Sequence, residues 1–125
     1  MNSPSISDAE SQVMQVLWDR GQATAEEIHA ALGEQTGWQG GTVKALLNRL
    51  LKKEAIAAER EGRRFRYQPV LKRADYVSQQ SRSLVDRLFG GRVAPLVAHF
   101  SQNNKLSEAD LEELRQLIRE HEDER

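Results

Sequence analysis

The chain of 125 residues has no cysteine, which removes disulfides, thiolate zinc sites, iron–sulfur clusters and cysteine nucleophiles together. Its histidines, His29, His99 and His121, are scattered, and nothing beside them completes a ligand set, so they read as surface or helix-end residues and not as metal ligands. No cofactor is expected. No run approaches the roughly 18 consecutive apolar residues of a membrane span, and the start, Met1-Asn-Ser-Pro-Ser-Ile6, lacks the basic and apolar stretches of a secretory signal. A cytoplasmic protein without membrane insertion is the expectation. Also missing are a supported Ser/His/Asp grouping, a Gly-rich phosphate loop after a strand, and paired carboxylates in a cleft, so an enzyme is not expected.

Net charge is another near-absence, at −1, but it is sorted along the chain. Between Met1 and Glu34 a single basic residue, Arg20, stands against six acidic ones; from Lys44 to Arg66 there are eight basic residues against three acidic. A basic window between acidic flanks suits a protein that meets phosphate with one surface only. The plainer alternative is a surface helix solvated by its lysines and arginines.

What fills that window is a helix followed by a hairpin pattern. In Thr42-Val-Lys-Ala-Leu-Leu-Asn-Arg-Leu-Leu-Lys-Lys53, the residues Val43, Leu46, Leu47, Leu50 and Leu51 form one apolar stripe at the helical period. The opposite face is left to Ala45, Asn48, Arg49 and Lys52, with Thr42 and Lys44 flanking it near the helix start, where a recognition helix presents its first residues to base edges. Lys44 and Asn48 are the candidates for base contacts and Ala45 for a thymine methyl; Arg49, Lys52, Arg63 and Arg64 are the candidates for phosphate. In the hairpin, turning at Glu61-Gly-Arg63, Phe65 and Tyr67 alternate with Arg64 and Arg66. One face is expected to pack on the helices while the other stays cationic.

Start signals place the remaining elements. Ser7-Asp-Ala-Glu10 and Thr24-Ala-Glu-Glu27 read as capping boxes. The helix after the first turns Val13, Met14 and Leu17 to a core and stops near Gly21; the helix after the second turns Ile28, Ala31 and Leu32 inward and stops at Gly33. Three helices and a hairpin in this order make a winged helix-turn-helix over residues 1–70. Residues 71–125 then show helices only. Ala74, Val77, Ser81, Leu84 and Leu88 recur at alternating spacings of three and four, the seam of a helix that pairs with another. Gly90-Gly91 breaks it, Val93, Leu96, Val97 and Phe100 give a second apolar face, and Ser107-Glu-Ala-Asp110 caps a third helix striped by Leu111, Leu114, Leu117 and Ile118. These helices carry more apolar surface than they can hide alone. The expected class is therefore mainly α with a small β-hairpin wing, a winged helix-turn-helix followed by a three-helix dimerisation region, although the same helices could instead pack back on their own winged domain.

Trp18 and Trp38 are large aromatics near a small core, where packing is the usual role. Trp38, just ahead of the recognition helix, is the better candidate of the two for a DNA backbone contact. Glu112, Glu113, Glu120, Glu122 and Glu124 read as a solvated face and tail.

The run Gly37-Trp38, the 42–53 helix, and Glu61-Gly-Arg-Arg-Phe-Arg-Tyr-Gln-Pro69 resemble the BlaI/MecI/CopY family of bacterial penicillinase-type transcriptional repressors. The likeness continues through Asp75-Tyr76, Arg87-Leu-Phe-Gly90 and Leu106-Ser-Glu-Ala-Asp-Leu-Glu-Glu-Leu114, nearly the whole chain. It implies a homodimeric repressor whose winged domain binds a two-fold DNA operator and whose C-terminal helices hold the dimer. It also implies, for inducible members, a membrane sensor-protease pathway that ends in cleavage just before a Phe of the second C-terminal helix. Phe100 matches that position, which puts the cut between His99 and Phe100. The sequence departs from the family at three points. The cysteine-rich tail of the copper-responsive branch is missing. Gln39-Gly40-Gly41 replaces the common Ser-Pro-Lys start of the recognition helix, and His99 stands where β-lactam-responsive members usually have Asn. The competing functional reading is a winged-helix adaptor for protein association, which would show exposed apolar anchors on the outward face of the 42–53 helix.

Overall fold

The computed structural model describes residues 4–124. Helix α1 (Asp8–Arg20) opens with the Ser7 box closed in both directions, Glu10 N–H to Ser7 Oγ at 3.1 Å and Ser7 N–H to Glu10 Oε1 at 2.9 Å, and it ends at Gly21. After the two-residue strand β1 (Ala23–Thr24), Thr24 closes the second box on Glu27 and starts α2 (Ala25–Thr36). Helix α3 (Gly40–Lys52), strands β2 (Ile56–Glu61) and β3 (Arg64–Pro69), and helices α4 (Arg73–Phe89), α5 (Val93–Gln102) and α6 (Glu108–Asp123) complete the order. The sheet is antiparallel, with β3 between β1 and β2. The hairpin register sets Glu61 opposite Arg64, leaving Gly62-Arg63 as a two-residue turn with Gly62 at φ 66°.

Several boundaries and faces differ from the sequence reading. Helix α2 runs through Gly33 and stops at Gly37, where φ is 72°; only there does the chain need the left-handed conformation that glycine supplies cheaply. Ala31 is exposed, because the buried face of α2 is narrowed to Ile28 and Leu32. Helix α3 begins at Gly40, two residues before the anticipated Thr42, and its N-cap Gln39 makes no side-chain hydrogen bond. Strand β1 was not anticipated. Phe65, expected to pack on the helices, is 46% exposed: it shares a face with Tyr67 but sits farther toward the hairpin tip, beyond the body the sheet covers.

The chain divides into two compact units, one ending at Gln79 and one starting at Gln80, so the division falls inside α4. The first unit has a closed core in which Val13, Met14, Leu17, Ile28, Val43, Leu47 and Leu50 are wholly buried. Trp18 joins this unit's last turns to it, its indole N–H donating to the Leu71 carbonyl at 2.8 Å and its ring lying 5.5 Å from that of Tyr76. In α4, α5 and α6, by contrast, no described residue is buried. Val77, Leu84, Leu88, Val93, Phe100, Leu117 and Ile118 are all exposed, and Leu96, Val97, Leu111 and Leu114 are half-buried.

Candidate nucleic-acid interface

Helix α3 is divided lengthwise. Val43, Leu46, Leu47 and Leu50 are buried against α1 and α2, which turns Thr42, Lys44, Ala45, Asn48, Arg49 and Lys52 to solvent, all of them exposed. None of the three cations on that face makes an ion pair among the described residues. Their charge therefore remains available to an outside anion.

Two connections hold α3 in place. At its start, the imidazole Nε2–H of His29 donates to the Trp38 carbonyl at 2.8 Å, and the Trp38 amide donates to the Thr36 hydroxyl at 3.1 Å. Both fix the turn between α2 and α3. Trp38 itself is half-buried against the core. Just past the end of α3, Lys53 forms an ion pair with the buried Glu10 and also donates to the Ser5 carbonyl at 2.7 Å. Burial pushes the Glu10 carboxyl up, but hydrogen bonds from Lys53 and from the Ser7 amide and hydroxyl outweigh it and hold the group below the usual carboxylate range. Lys53 escaped the sequence reading, which used Glu10 only as a cap. A cation after α3 and an acid in α1 are far apart in the chain, and only the packing of α1 on α3 joins them.

The wing carries its charges unequally. Arg63 and Arg64 are exposed and unpaired among the described residues. Arg66, grouped with them from sequence, is instead engaged by Glu61 at 2.7 Å and Glu27 at 3.6 Å, and Glu27 also lies 3.7 Å from Arg20. The Glu61 hydrogen bond raises the Arg66 guanidinium and lowers the Glu61 carboxyl. Glu27 is lowered first by its bond from the Thr24 amide and further by Arg20 and Arg66. This chain of charges ties the wing to the N-terminus of α2. The sequence signal was present in the alternation of Glu59 and Glu61 against Arg64 and Arg66, but using it requires the hairpin register.

Among the described residues no group of His, Asp and Glu is placed to hold a metal ion, and no helix is long and apolar enough to cross a membrane. His99 lies in α5 between Phe89 and Phe100, with ring separations of 6.3 and 5.6 Å. Its carbonyl accepts from both the backbone and the side-chain amide of Asn103.

The family model described as penicillinase repressor matches residues 6–120. The penicillinase repressor of Bacillus licheniformis is 36% identical over 118 residues, covering 94% of this chain and 92% of that one. The methicillin resistance regulatory protein MecI of Staphylococcus aureus is 29% identical, covering 90% and 92%. Among solved structures, the monomeric form of Bacillus licheniformis BlaI in complex with the blaP half-operator superposes with a TM-score of 0.53 at 37% identity, covering 60% of this chain and 92% of that one. The chain belongs to the penicillinase repressor family.

Proposed function

We propose that the protein is a sequence-specific transcriptional repressor that binds a two-fold DNA operator as a homodimer. One observation carries the reading: the outward face of α3 bears Lys44, Asn48, Arg49 and Lys52 around the small Ala45, all exposed, with no large apolar side chain among them. That is a surface for a groove lined by phosphates and base edges, and an adaptor would need apolar anchors in the same place. The likeness to the BlaI chain solved with a half-operator supports it. Lys44 and Asn48 reach base edges, Ala45 and Thr42 lie along the groove, and Arg49, Lys52, Arg63 and Arg64 grip phosphate. Trp38 flanks the backbone at the helix start. Arg66 acts through the wing it anchors.

The second half supplies the partner. Val77, Leu84, Leu88, Phe100 and Ile118 are exposed in a single chain; Leu84, Leu88, Phe100 and Ile118 with Leu96, Val97, Leu111 and Leu114 give the apolar surface that a second copy covers, and Val77 adds to it along the α4 seam in sequence. Induction proceeds by proteolysis between His99 and Phe100, downstream of a membrane sensor, in cells where that pathway is present. Because the His99 carbonyl in α5 accepts twice from Asn103, the residue that caps the helix, cutting requires that last turn to open first. Selecting duplexes from a random pool with the purified protein and sequencing them tests the core of the proposal. A two-fold consensus with half-sites about one helical turn apart is expected, and an unenriched pool would reject sequence-specific repression in favour of the adaptor.

A further inference from the structure

Phe65 lies two residues before Tyr67 on β3, so the two rings share a face of the sheet. Toward the base of that face, Tyr67 packs on the helical core and Ile56 is buried in it. Phe65 continues the same face toward the hairpin tip, outside the core cluster that Tyr67 joins, and stays half in water. The faces also differ in charge. On one, Glu61 and Glu59 stand directly opposite Arg64 and Arg66, and Glu61 is held by Arg66. On the other, Arg60 stands opposite Phe65 and Ala58 opposite Tyr67, with no carboxylate on either strand. Arg60 reaches over the turn to donate to the Gly62 carbonyl at 3.1 Å, next to Arg63, and neither arginine is ion-paired among the described residues.

We infer that Phe65 is a DNA-contacting residue, its ring lying against the deoxyribose edge of the minor groove beside the groove read by α3, with Arg60 and Arg63 on the phosphates to either side. That edge is a strip of C–H surface bounded by anions, and this face of the wing is an apolar ring bounded by cations. A protein partner would find no second large anchor there, since the exposed neighbours on the face are Arg60 and Ala58. The inference deepens the repressor reading and rests on it.

The test titrates wild type, Phe65→Ala, Phe65→Leu and Arg64→Ala against one selected and one random duplex over a range of salt, with thermal unfolding of each protein alongside. Phe65→Ala is expected to lose about tenfold on both duplexes, from the apolar contact removed. Its salt slope should match wild type, because a phenyl ring displaces no counterion, whereas Arg64→Ala lowers the slope by about one unit. Phe65→Leu should recover most of the affinity, and the unfolding midpoint of both Phe65 variants should stay at the wild-type value. Undiminished binding by Phe65→Ala would overturn the inference, as would a loss of binding that tracks a matching loss of thermal stability. Failure of the wild type itself to bind either duplex would instead remove the repressor reading, and the inference with it.

Discussion

At the scale of single residues, exposure and pairing separate cations that look alike in the sequence. Lys44 stands on the outward face near the start of α3, and Arg64 stands on the wing. Lys44→Ala is expected to cost about 1–3 kcal/mol on a selected operator and far less on random DNA, while Arg64→Ala weakens both alike. Fluorescence anisotropy titrations on the two duplexes measure the difference, and equal losses from both substitutions would reject the division of labour. Glu10 makes a different kind of prediction. The folded chain keeps this carboxylate ionised at a pH where the unfolded chain, with its ordinary value near 4.5, has begun to take up a proton. Its contribution to stability is therefore complete above that ordinary value and is lost as pH falls through the lower folded value. Urea unfolding between about pH 3 and about pH 6 should show a shallower acid decline for Glu10→Gln than for wild type. Identical declines would mean that the pair with Lys53 carries no pH dependence.

At the scale of elements, α3 was legible because five apolar residues at helical spacing can share only one face, and the three capping boxes mark starts by their own chemistry. Strand β1 was not, since two residues carry no alternation to detect, and its pairing with β3 depends on a chain segment some 40 residues away in sequence. Alternation placed Phe65 on the correct face of β3 but cannot say where the helices beneath that face end. The end of α3 was legible only in part. After the cap at Lys53 the chain passes through Glu54 at φ 61°, a left-handed turn that an L side chain adopts at a cost of about 1 kcal/mol. Glu54→Gly should raise the stability of the winged unit by about that amount. A thermal midpoint that stays level or falls would show that the Glu54 side chain makes a compensating contact.

At the scale of the whole molecule, the apolar seam of α4 is the expected link between two readers. Leu84→Asp places a charge in it and should yield monomer by sedimentation velocity, with operator affinity falling by orders of magnitude because the second reader loses its high effective concentration. An unchanged dimer would shift the interface elsewhere. For the switch, mass spectrometry of repressor fragments from induced cells should find a new N-terminus at Phe100; derepression with only full-length chain present would reject cleavage. The distribution of burial carries one more consequence, since every fully buried side chain among the described residues lies at or before Leu71. A winged unit with its own core melts at a temperature independent of how much protein is in the tube. Helices that close their core only against a second copy melt later as protein is added. On the proposed homodimer, a newly made chain would thus begin as a folded reader with an unfinished rear half, and the number of copies present would set how much of the pool has that half closed.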